Sequence, residues 1–96
     1  VALNVIWTEE AKNSLSDIIL YLEENWTERE IRKFFVRLEE CVELIALNPQ
    51  RAKDSLRKPN TKEFQHSVNT TIFYQYDEVN VVILKVWANA QNPDSL

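Results

Sequence analysis

Residues 27–49 read TEREIRKFFVRLEECVELIALNP, and the fold turns on this stretch. Thr27 and Glu30 have the spacing of a capping box, in which each side chain satisfies a backbone N–H left unpaired at a helix start. Trp26 before the cap and Ile31 after it have the spacing of a hydrophobic staple. Ile31, Phe34, Phe35, Leu38, Cys41, Val42 and Ile45 then recur with helical period and form one apolar stripe. Asn48-Pro49 ends the helix, because a residue before proline is pushed out of helical geometry. Upstream, Thr8 is the N-cap of an earlier helix, with Glu9 and Glu10 in a first turn that favours negative charge. Ala11, Leu15, Ile18, Ile19, Leu22 and Trp26 supply its apolar face, and Asn25 closes it. Two amphipathic helices joined by a tight turn make a helical hairpin whose stripes need a cover.

The cover comes from the flanking segments. Leu3 to Trp7 is a short run rich in strand formers. Residues 49–60 read as a polar, basic connection, and from Lys62 the period changes to two. Phe64, His66 and Val68 alternate with Glu63, Gln65 and Ser67; Ile72, Tyr74 and Tyr76 alternate with Thr71, Phe73 and Gln75. After a turn over Asp77 to Asn80, the apolar run from Val81 to Trp87, broken by Lys85, is expected to be a strand buried on both faces. The chain has no glycine, so turns fall to Asn69, Asp77 and Asn80, residues that tolerate left-handed geometry. One strand, two helices and three strands predict an α+β domain: an N-terminal strand and a helical hairpin packed on a small, mainly antiparallel sheet, with the first strand beside the later hairpins.

Composition narrows the function. The 96 residues suit a single domain, residues 1–96, with a small core. A net charge of −4 argues against broad nonspecific nucleic-acid binding. That charge is uneven: residues 1–48 hold ten acids and five bases, whereas Arg51, Lys53, Arg57, Lys58 and Lys62 cluster against the single acid Asp54. Without glycine there is no phosphate-binding or dinucleotide loop and no ordinary nucleophile elbow. The one cysteine, Cys41, excludes an intramolecular disulfide and a cysteine-cluster zinc site, and it lies on the apolar stripe. No cofactor and no metal are expected. No membrane partner is expected either, since no apolar run reaches about 18 residues. Val1-Ala2-Leu3-Asn4 does not read as a secretory signal, and the expected location is cytoplasmic. His66 is the only histidine and the one side chain suited to general-base work near neutral pH.

Several segments in order resemble toxins of the RelE/ParE superfamily, the toxic half of bacterial toxin–antitoxin and plasmid-stabilisation modules. They are Ile6-Trp7-Thr8-Glu9-Glu10-Ala11, the run from Asp17 to Trp26, Phe34-Phe35-Val36-Arg37-Leu38, Leu47-Asn48-Pro49, Ile72-Phe73-Tyr74, Val82-Ile83-Leu84-Lys85-Val86 and Gln91-Asn92-Pro93. The resemblance implies a curved sheet under the hairpin and a cognate antitoxin that wraps the toxin, the complex repressing its own operon, so that operator DNA is reached only through the antitoxin. It implies one of two activities: inhibition of DNA gyrase by protein contact, as in the ParE-like branch, or ribosome-dependent cleavage of messenger RNA, as in the RelE-like branch. A third reading is a non-toxic, antitoxin-binding and operon-regulating module.

Carried over by position, Lys62 and Lys85 match places that are often basic in the family. With Tyr74 and His66 they are the catalytic candidates. The C-terminal functional segment maps to Ala88, Ala90, Gln91 and Asn92, where Ala88 replaces a common histidine and Ala90 a common arginine. Arginine is well suited to the charge of a pentacoordinate phosphate, so its loss favours the ParE-like reading. Leu20, Tyr21, Val36 and Leu44 lie off the main stripes and are the expected antitoxin surface.

Overall fold

The computed structural model describes residues 2–67 and 70–88. Strand β1 (Asn4–Trp7) leads into helix α1 (Glu9–Asn25) and helix α2 (Glu28–Leu47). A 3₁₀ turn at Pro49–Arg51 follows, then strands β2 (Lys53–Asp54), β3 (Lys62–Ser67), β4 (Thr70–Tyr76) and β5 (Asn80–Ala88). The sheet order is β1-β5-β4-β3-β2; β1 runs parallel to β5 and every other pair is antiparallel. Two helices on a five-stranded, mostly antiparallel sheet make the expected α+β fold.

Both helix starts form as their sequences predict. Thr27 and Glu30 complete the capping box. Thr8 caps α1 by accepting from the Ala11 N–H, and its hydroxyl also donates to the Ile83 carbonyl at 2.8 Å, so one side chain starts the helix and fastens it to β5. The core joins Ile18 and Leu22 of α1, Phe34, Leu38, Cys41 and Ile45 of α2, and Ile72, Tyr74, Val81, Ile83 and Val86 of the sheet. Each fully buried aliphatic side chain contributes about 1.5–3 kcal/mol relative to exposure.

Burial in β5 alternates rather than covering both faces, which corrects the expectation from its apolar run. Register explains the pattern. Phe73 pairs with Lys85 and Tyr74 with Ile83, so Leu84 is a bulge. One extra residue reverses the phase: Val81 and Ile83 are buried before it, Val86 and Ala88 after it. Side chains of α1 bond to the backbone around this irregularity, for Thr8 reaches the Leu84 carbonyl at 3.3 Å and Ser14 accepts from the Val86 N–H. A second bulge puts His66 between the Gln65–Thr71 and Ser67–Thr70 pairs.

Other expectations need correcting. Trp26 is the 38% exposed C-cap of α1 rather than a buried packing residue, and Tyr76 ends β4 at 41% exposure. The connection after α2 contains β2, a two-residue edge strand too short to leave a periodic signal. Among the described residues, only Asn60 has a positive φ, 55°. The Asp77 turn needs none, because its carboxylate accepts the Val79 and Asn80 N–H groups at 2.8 Å. Val68 and Asn69 lie outside the described residues.

Candidate functional site

On β4 and β5, Phe73 and Lys85 alternate with the buried Ile72, Tyr74 and Val86, so they face away from the helices. They line a cavity of about 270 Å³ together with Leu84, Trp87 and four residues of the β2–β3 loop, Ser55, Arg57, Lys58 and Thr61. The loop is built to hold that position. Ser55 N–H donates to the Thr61 carbonyl at 2.7 Å, Arg57 N–H to the Ser55 hydroxyl, and Asn60 takes the left-handed turn. Gln75 of β4 then donates to the Thr61 hydroxyl, pinning the loop to the sheet.

Three cations and one acid, Glu10, border this cleft. Lys85 Nζ stands 5.1 Å from the centre of the Trp87 ring, within cation–π range. Cationic side chains beside an aromatic face can hold a phosphate or a carboxylate surface. Arg57 and Lys58 belong to the basic cluster legible in the sequence, but nothing there joined them to Lys85. The usable signal for Trp87 was its i+2 spacing from Lys85, which places both on one strand face.

The remaining catalytic candidates lie apart from the cleft. Lys62 forms an ion pair with Asp54 at 2.8 Å across β2–β3, and that hydrogen bond raises its pKa. Tyr74 is fully buried, donates its hydroxyl to the Pro49 carbonyl at 2.6 Å, and has its pKa pushed up to about 12 by burial. The phenol links β4 to the 3₁₀ turn that follows α2. His66 is buried on the helix side, edge-on to Phe34 with ring centres 5.2 Å apart. Among the described residues, neither of its ring nitrogens finds a hydrogen-bond partner. Burial first, and the Arg37 charge second, lower its pKa, against a weaker upward pull from the nearby Phe34 backbone, whose geometry falls short of a hydrogen bond. Burial likewise raises the Cys41 thiol, which suits a packing residue.

Ala88 is 5% exposed at the end of β5 and belongs to the core, not to an open segment. Ala90, Gln91 and Asn92 lie outside the described residues. Leu20, Val36 and Leu44 are exposed, whereas Tyr21 packs half-buried against the core. Val36 and Leu44 border separate depressions, the first among Arg29, Lys33 and Arg37, the second beside Arg51 and Phe64.

The sequence pattern of the ParE toxin of type II toxin–antitoxin systems, parDE, matches residues 5–93, from β1 past the end of β5. The chain belongs to the ParE toxin family. No curated protein sequence matches this ParE-family chain. In three dimensions it is similar to a chain of the RelBE2 toxin–antitoxin complex of Mycobacterium tuberculosis, with 22% identity, 92% of this chain and 99% of that chain covered, and a TM-score of 0.63. A chain of the DinJ–YafQ toxin–antitoxin complex of E. coli has the same score at 7% identity, with 97% of this chain and 99% of that one covered. At such identities the likeness shows the shared fold. Among the described residues, no helix is long and apolar enough to cross a membrane, and no three His, Cys, Asp or Glu side chains gather as metal ligands.

Proposed function

We propose that this ParE-family toxin inhibits DNA gyrase by protein contact, with the basic cleft against its target and a cognate antitoxin neutralising it. The observation that carries this reading is the position of Tyr74. A ribonuclease of this fold that activates a ribose hydroxyl with tyrosine needs the phenol open to substrate. Here that phenol is sealed in the core and already bonded to Pro49. His66, the other acid–base candidate, is buried on the helix side. Arg57, Lys58 and Lys85 offer hydrogen-bond donors to an acidic surface, the contact that inhibition by protein binding needs. Operator DNA is reached through the antitoxin, and the site of action is the cytoplasm.

Ribosome-dependent cleavage of messenger RNA is the second reading, favoured by the cluster of three cations and Trp87 around one cleft. A supercoiling assay with purified gyrase and a translation extract with primer-extension mapping separate the two. We expect loss of supercoiling and intact messages. Codon-phased cuts in the extract with unimpeded supercoiling would reverse the assignment, and inertness in both assays would leave the operon-regulating module.

A further inference from the structure

The β2–β3 loop carries one side chain that the fold does not use. Leu56 is 100% exposed, whereas Leu20, the next among the described large apolar residues, is 61% exposed. A leucine wholly in water adds nothing to the core, and a polar residue would serve a surface loop as well. Yet the backbone around it is fixed. Ser55 N–H donates to the Thr61 carbonyl, Arg57 N–H to the Ser55 hydroxyl, and the Thr61 hydroxyl to the Pro59 carbonyl at 3.1 Å. These bonds bracket Leu56, and the Gln75 bond to Thr61 ties the loop to β4. A side chain held out on an ordered backbone gives up little freedom when it is covered, so it is already disposed for contact.

Its surroundings define what fits over it. Ser55 and Arg57, on either side, line the basic cleft with Lys58 and Lys85; Leu56 does not, and stands on the rim. The segment from Ser55 to Thr61 contains no acid, and Asp54 before it is already tied to Lys62 at 2.8 Å. A phosphate backbone would satisfy Arg57 and Lys58 but offers an aliphatic side chain no dry surface. An apolar pocket rimmed by carboxylates satisfies both, with the leucine seated inside and the cations paired at its edge.

We infer that Leu56 is the apolar anchor by which this loop seats in an acid-rimmed pocket of the toxin's protein target. The inference rests on the reading that the toxin inhibits gyrase by protein contact, and it adds the residue and the chemistry of that contact. The leucine supplies affinity that salt does not screen. Arg57 and Lys58 supply orientation and association rate, which salt weakens.

Binding of the whole chain to purified gyrase at low and high salt, with supercoiling inhibition read in parallel, tests this. Leu56→Ala removes only solvent-exposed atoms, so its melting temperature should equal the parent's. We expect its affinity and its inhibition to fall about 10- to 100-fold, the worth of the apolar surface that the truncation withholds from a pocket. The binding deficit should be the same at both salts. Leu56→Met keeps the apolar volume and should recover most of the loss. Leu20→Ala, on helix α1, should match the parent. Equal inhibition by the parent and Leu56→Ala would overturn the anchor and leave the gyrase reading standing. A deficit that disappears at high salt, that Leu20→Ala shares, or that Leu56→Met fails to relieve would overturn it too. Binding of the parent to a labelled RNA that Leu56→Ala weakens would give the loop to nucleic acid and overturn the inference as well. A parent that neither binds nor inhibits gyrase would remove the reading itself and the inference with it.

Discussion

Acidification should loosen the seam between α2 and β3 through one side chain, His66. Its ring sits in a β-bulge against Phe34, buried, with neither nitrogen hydrogen-bonded among the described residues. A charged imidazolium there would be desolvated and would face the Arg37 charge, and these two effects outweigh the upward pull of the Phe34 backbone and lower its pKa in the folded state. The unfolded chain titrates near 6.5, so below that pH it binds more protons than the folded one, and stability must fall as pH falls. It is complete above about 6.5 and lost progressively toward the lowered folded pKa. Between about pH 7.5 and 5.5, a folded pKa far below the window would cost at most about 1.4 kcal/mol. Screening by water brings the expected loss to about 0.5–1 kcal/mol, a fall in Tm of about 2–8 °C for a domain of this size. The window is clean, because His66 is the only histidine and ordinary carboxylates titrate near pH 4. Urea unfolding followed by tryptophan fluorescence at the two pH values gives the measurement. His66→Phe keeps a ring beside Phe34 and removes both nitrogens, so its stability should be level across the window. A parent that is equally stable at both pH values, or a phenylalanine variant with the parent's slope, would refute the argument.

Thr8→Val removes the α1 cap and the tie to the Ile83 carbonyl, and should lower stability by about 1–2 kcal/mol in urea melts. Tyr74→Phe strands the buried Pro49 carbonyl and should cost about 1–3 kcal/mol, while gyrase inhibition at matched folded protein stays at the parent's level. In alkaline spectrophotometric titration of the parent, one of three tyrosines should resist ionisation until about pH 12 or until the chain unfolds. Arg57→Gln/Lys58→Gln changes exposed loop residues, so Tm should move little, yet inhibition of the target should fall about tenfold or more if the cleft faces it.

Local signals carried the helices and their hairpin into view. Thr27, Glu30, Thr8 and Asn48-Pro49 act through bonds or clashes within four residues of themselves, and such information lies in the sequence. The sheet was legible as a set of strands, but its irregularities were not. Nothing near Leu84 announces a bulge, since the extra residue is a property of pairing with β4 and of the anchor from Thr8 and Ser14. The same gap limited the site. Alternation groups Tyr74 with Ile72 but does not say which face meets the helices, and only the assembled sheet shows its phenol spent on Pro49. Lys85, Arg57 and Lys58 come together because Gln75 pins a loop held by the left-handed Asn60, a tertiary arrangement that no spacing encodes.

The parallel pairing of β1 with β5 has a consequence for synthesis. Thr8 finds its partner carbonyl on Ile83, 75 positions further along the chain. Closing a loop of that length costs about 4 kcal/mol of chain entropy beyond a constant, recovered only when β5 is present to complete the central pairing. At about 5–20 residues per second, the ribosome needs roughly 4–15 s to make the stretch between them. From the completion of α2 at Leu47 until Ile83 is added, the last 36 positions and about 2–7 s of that time, both apolar stripes lack part of their sheet and Arg57 and Lys58 are not yet against Lys85. The growing polypeptide is thus adhesive before its basic cleft is assembled. The cell gains a period of seconds in which a waiting chaperone-like partner can reach the helices before the basic cleft exists.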